Sequence, residues 1–118
     1  MAVIQILLDS KPGPLPLKGT FQPQADLVPC VYLTGTAQTN TPSTIQIELA
    51  ILDKDGKDAG GTSVVVFSNE PNQHKTLLAL LTNQKPWNFG ETYTYSITAA
   101  SPGAFADAND FFSLTILY

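Results

Sequence analysis

The chain reads as an all-β protein, an antiparallel β-sandwich of seven or eight strands. Three observations predict this. Apolar and polar residues alternate with period two over several stretches, the pattern of strands with one buried face. Those stretches are short and are separated by bends rich in Gly, Pro and Asn. And 118 residues, 43% of them apolar, make about one domain with enough apolar side chains for a single core between two layers.

Taken along the chain, a first strand is expected over 3–8 and a short edge piece over 15–21, where prolines bar it from the middle of a sheet. A third strand covers 29–36. "TIQIELAILD" follows, with Ile45, Ile47, Leu49 and Ile51 on one face and Gln46 and Glu48 on the other. Residues 62–68 form the next strand. "HKTLLALLTN" is ambiguous: its leucines fit a helical stripe, but it is short for a stable helix, and strand is the preferred reading of 76–82. "ETYTYSITA" sets Tyr93, Tyr95, Ile97 and Ala99 against Thr92, Thr94, Ser96 and Thr98, and "FFSLTILY" buries Phe112, Leu114, Ile116 and Tyr118. "KPGPLPLKG" and "TNTPST" are connectors, and no internal repeat is present.

The stretch "WNFGETYTYSITA" resembles the corner that leads into the sixth strand of immunoglobulin-like and fibronectin type III domains. Trp87 takes the apolar position, Gly90 the glycine and Tyr93 the tyrosine whose hydroxyl bonds back to the corner backbone. The match covers about a tenth of the chain. No tryptophan lies in the earlier core strands, and the immunoglobulin disulfide is absent. The resemblance implies an immunoglobulin-like sandwich; it says nothing of function.

Composition excludes some partners. Charged residues make up only 14%, against roughly 25% in ordinary domains, so Thr, Ser, Asn and Gln must cover the surface. Such a surface offers weak electrostatic protection against self-association. All six cationic residues are lysines, and the net charge is −4. Without the arginine fork, and with that sign of charge, neither nucleic acid nor an anionic membrane surface is an expected partner. Cys30, alone in "VPCVYL", can form no internal disulfide and is expected to be buried and inert. The start "MAVIQILLDSKPGP" lacks the pattern of a secretory signal, and no apolar run approaches a membrane span, so the chain as given reads as soluble.

Two acidic groups invite a cation. In "ILDKDGKDAGG", Asp53, Asp55 and Asp58 surround Gly56. A calcium loop of the helix–loop–helix kind needs a glycine at its sixth position and a Glu at its twelfth; here Gly56 is fourth from Asp53, and Val64 stands at the twelfth. Asp-Gly between alternating apolar runs is instead a hairpin bend. The second group, "GAFADANDFF", falls at the opposite end if strands run up and down, which groups 53–61 with 83–91 and 103–110 with 37–44 and 69–75. No metal site and no cofactor are expected: one histidine cannot build a site with acids so dispersed.

The same counting singles out a binding end. It gathers Asn40, Thr41, Asn72, Gln73, His74, Asp107, Asn109 and Asp110 on three loops, amide and carboxylate groups able to bond the hydroxyls of a sugar or the backbone of a peptide. Solvated polar loops are the plainer reading of the same residues, since Asn and Asp favour turns for local reasons. Trp87 is expected to pack beneath its corner rather than to stand exposed as a platform, and His74 to be a solvated loop residue. No nucleophile–base pair emerges. The expected function is that of a non-enzymatic binding or adhesion module whose partner is carbohydrate or a protein surface. The alternative is a structural subunit, a homo-oligomer assembling through a sheet face or edge, with "SVVVF" among its apolar stretches.

Overall fold

The computed structural model describes residues 4–25, 30–82 and 86–118. Nine strands run through these residues: β1 (Ile4–Pro12), β2 (Leu17–Phe21), β3 (Cys30–Thr39), β4 (Ser43–Leu52), β5 (Asp58–Ser68), β6 (Lys75–Thr82), β7 (Tyr93–Ala99), β8 (Ala104–Phe105) and β9 (Phe111–Leu117). The expected positions Val3 and Pro29 lie outside the described residues. The count exceeds the expected seven or eight because β8 is a two-residue pairing, Gln38 to Phe105 and Thr39 to Ala104, too short to leave a periodic signal. Residues 76–82 are strand, not helix: Leu77, Ala79 and Leu81 point inward while Leu78 and Leu80 point out.

The strands form two antiparallel sheets, ordered β1-β9-β3-β6 with β8 attached to β3, and β2-β7-β4-β5. Strands pair from the outside in. The first pairs with the last, the second with the seventh, the third with the sixth and the fourth with the fifth. A single long hairpin rolled upon itself gives this order, which is that of a jelly roll. In immunoglobulin-like domains the first two strands share a sheet. Here β1 and β2 lie in different sheets, so the sandwich is as expected but the immunoglobulin-like order is corrected. The corner that suggested it is nonetheless built, with the Asn88 amide donating to the Tyr93 hydroxyl at 3.0 Å.

Alternation places the core. Val31 and Leu33 of β3, Phe112, Leu114 and Ile116 of β9, and Leu77 and Leu81 of β6 face Ile45, Ile47, Leu49 and Ile51 of β4 and Tyr93, Tyr95 and Ile97 of β7. Each fully buried aliphatic side chain contributes about 1.5–3 kcal/mol. At one end Phe21, Trp87, Tyr93 and Tyr95 form an aromatic cluster with centroids 5.3 to 6.5 Å apart. Trp87 is buried beneath its corner, as expected, and its Nε1 donates to the Ala59 carbonyl at 2.9 Å. Cys30 is exposed rather than buried. Inward positions of β3 begin at Val31, which puts Cys30 on the outer face.

No helix among the described residues is long and apolar enough to cross a membrane.

Candidate functional site

The loops meet as strand counting expects. Asn72 N donates to Thr39 O at 2.8 Å, and Asn40 N to Gly103 O at 3.2 Å, so the segments after β3, after β5 and before β9 touch at one end. At the other end Trp87 reaches Ala59 and Lys54 pairs with Glu91 at 3.5 Å.

Asp110 stands at the centre of the first end. Its side chain is almost without exposure, and both oxygens are occupied. Oδ1 accepts from Thr36 Oγ1 at 2.8 Å and from His74 Nδ1 at 2.5 Å; Oδ2 accepts from Gln38 Nε2 at 3.0 Å and from the Asp107 amide at 2.9 Å. An ionised carboxylate only accepts, so Nδ1 of His74 is the donor. Burial pushes the Asp110 carboxyl up, but the bonds from His74, the Asp107 amide, Thr36 and Gln38 outweigh it, and its pKa lies below the ordinary 3.8. The bond to Asp110 and the charges of Asp110 and Asp107 raise the His74 pKa above 6.5, against the opposing effect of burial.

The local sequence builds this loop. In "DAND", Asp107 Oδ1 accepts from Asn109 N at 2.8 Å, and Asp110 N donates to Asp107 O at 3.0 Å, the side-chain turn that Asp favours. Gln38 also donates to Asp107 Oδ2 at 2.9 Å, so one amide group holds both acids. The segment after β1 comes in through Gly13, whose N donates to Asp110 O at 2.8 Å. A Cβ at Gly13 would stand 2.5 Å from Asp107 O, so only glycine allows this approach.

His74, Asp107 and Asp110 thus bring three candidate ligand atoms within 4.8 Å of one another. The acids are not dispersed around the histidine, and His74 is not simply solvated; both expectations are corrected. Strand counting brings the loops to one end but does not show their side chains meeting, and Gln38 and Asp110 draw these groups into contact. Four donors fill the four acceptor directions of the Asp110 carboxylate, which makes the group a hydrogen-bonded clamp on the loops. Asn40, Thr41, Asn72, Gln73 and Asn109 surround it as exposed groups. Asn72 adopts φ 63°, and Gln73 N donates to Glu70 O at 3.3 Å.

Thr36 and Gln38 were missed from sequence. Gln38 is buried out of phase with its strand, and its side chain is met by Asp107 and Asp110 from the loop after β8, a long-range contact that leaves no local signal.

Beside the clamp lies a recess of about 280 Å³ lined by Leu15, Pro16, Thr98, Ala99, Ala104, Phe105 and Ala106. It begins one residue before Asp107. Its floor is apolar, and the clamp's loops adjoin it. Asp53, Asp55 and Asp58 lie at the far end in the hairpin joining β4 to β5, with Gly56 at φ 78°. Asp53 Oδ1 accepts from Asp55 N and Lys57 N, both at 2.9 Å, and Asp58 Oδ1 from Gly60 N at 3.0 Å, so these carboxylates serve the bend.

No family model matches the chain, and no curated protein matches it. Solved structures do. An arabinose-bound GH51 α-L-arabinofuranosidase matches with TM-score 0.52 and 10% identity over 99% of this chain and 22% of that one. The VP2 subviral particle of infectious bursal disease virus matches with TM-score 0.53 and 10% identity over 99% and 32%. Dimeric latent PorU of Porphyromonas gingivalis matches with TM-score 0.53 and 10% identity over 98% and 12%. The chain therefore spans a third or less of these neighbours, and at such identity the likeness shows the fold alone.

Proposed function

We propose that the chain is a non-enzymatic binding module whose ligand is carbohydrate, taken at the loop end. The observation that supports this best is the recess beside the clamp: an apolar floor next to polar groups on loops that are hydrogen-bonded to one another. Ligand sites commonly combine apolar lining with a few placed polar groups, and 280 Å³ stands just below their usual size range. A space of that size suits a single sugar residue. Its C–H face would lie on Leu15, Pro16 and Phe105, and its hydroxyls would meet Thr98, Asp107 and Asn109. Such contacts are individually weak, and several copies on one surface would raise avidity.

The test is binding on a glycan array, followed by titration of Phe105→Ala and Asn109→Ala. Each should weaken a retained glycan about tenfold, while Asp55→Ala at the far end should not. Asp110→Ala is a poor probe because it would disorder the loops. A blank array, or equal loss with Asp55→Ala, defeats the reading.

A second reading, a subunit assembling with copies of itself through a sheet face or edge, is supported by a different observation: the outer face of the β1-β9-β3-β6 sheet lacks charged side chains over its paired rows.

A further inference from the structure

We propose that this outer face is an interface between two copies of the chain, packed sheet on sheet. The inference rests on the assembly reading and deepens it by naming the surface.

Register places the side chains in rows. Ile6 stands opposite Thr115, Thr115 opposite Tyr32, and Tyr32 opposite Leu80. On one side of that row lie Ile4, Leu117 and Cys30; on the other lie Ser113, Thr34 and Leu78. None of these side chains is charged. Ile4 and Ile6 on β1 and Leu78 and Leu80 on β6, at the two margins of this face, are each about 60% exposed, with the uncharged side chains of β9 and β3 between them. The outer face of the other sheet is different in kind: Lys18, Thr20, Gln46, Glu48, Thr94, Ser96 and Thr98 make it polar and charged. Its exposed Leu52, Val65 and Phe67 stand opposite polar Thr94, Gln46 and Thr44.

The edges are blunted. Two register shifts break β1, Ser10 within it has φ 50°, and Pro12 ends it. The five-residue β2 lies between Pro16 and Pro23. On the opposite side β5 and β6 lie against one another. Bulges, short strands and prolines are what prevent strand addition at an edge, so association is left to the face.

A second copy fits this face better than a charged partner. The chain carries −4, and contact through an uncharged surface brings no like charges together. A two-fold dimer needs a patch that complements itself, which a neutral sheet surface provides. The face would stack on its copy about 10 Å away, as sheets do within a sandwich. Four strands about 4.8 Å apart and about seven residues long give a flat footprint of roughly 440 Å² per copy. Two such footprints come close to the roughly 1,000 Å² that a specific interface must clear, before the relief of the side chains is counted.

The test is sedimentation equilibrium of the full chain from low micromolar to near-millimolar concentration. A dimer is expected, with a dissociation constant nearly independent of salt, because no charges meet. Leu80→Lys and Ile6→Lys, at exposed positions on β6 and β1, should each weaken it at least about tenfold, whereas Glu48→Lys on the other sheet should not. Unchanged circular dichroism shows that the variants fold. As a second readout, the Cys30 thiol should react with a maleimide more slowly as chain concentration rises. A dimer indifferent to both lysine variants overturns the face while leaving assembly standing. A strict monomer at all concentrations overturns both.

Discussion

His74 Nδ1 lies 2.5 Å from Asp110 Oδ1, joining a ring that is 41% exposed to a carboxylate with no exposure at all. The bond ties the loop before β6 to the loop before β9. Both groups respond to pH, in opposite senses.

The histidine pKa is raised, so its contribution to stability is fully present below 6.5 and is lost as pH rises through the higher folded value. The Asp110 pKa is lowered, so its contribution is present above 3.8 and is lost as pH falls through the lower folded value. The clamp is therefore complete between about 3.8 and 6.5. Because His74 is the single histidine, one imidazole titration by NMR reads it directly, with a midpoint expected above 6.5. His74→Gln should flatten the loss of melting temperature on the alkaline side. A midpoint at or below 6.5 contradicts the pairing.

Asp110→Ala removes the acceptor of four donors, among them buried Gln38 and half-buried Thr36. Urea unfolding should show a loss of about 3 kcal/mol, the upper end of the scale for losing hydrogen bonds to a charged group. Asn109→Ala, an exposed neighbour, should stay within about 0.5 kcal/mol. Similar losses for the two would mean that the carboxylate does not hold the loops.

Much of this was legible because it is local or follows from counting. The alternation of Ile45 to Ile51 and of Tyr93 to Ile97 names the buried faces directly, and strand count alone brings 37–44, 69–75 and 103–110 to one end. What was not legible depends on long-range pairing. The Tyr93 corner forms as its residues suggest, yet the same corner fits either strand order, and the pairing of β1 with β9 has no local signal. Cys30 lies among apolar neighbours on both sides, so its strand phase could not be read from pattern. Gln38 is buried at an outward position, where Asp107 and Asp110 reach it from far along the chain.

The hairpin after β4 predicts a negative result with a physical cause. Asp53 and Asp58 already accept backbone amides across the bend, and a cation would have to displace those bonds. Millimolar calcium should leave the melting temperature unchanged in a thermal scan. A rise of several degrees that Asp53→Asn abolishes would restore the cation-binding reading.

Trp87 is the large anchor of the other end. It is almost fully buried, stands 5.3 Å from the Phe21 ring and 5.6 Å from Tyr93, and fixes the start of β5 through the Ala59 carbonyl. Trp87→Ala should cost about 3–5 kcal/mol in chemical denaturation, the scale for emptying an aromatic site. Trp87→Phe keeps most of the packing but forfeits the indole donor, so its loss should be much smaller, of the order of 1–3 kcal/mol for a buried carbonyl deprived of one partner. The two variants separate packing from hydrogen bonding. Equal losses would show that the indole N–H, not the ring, holds this end together. Because the clamp lies at the far end, neither variant should shift the His74 titration, which reports whether the two ends are energetically independent.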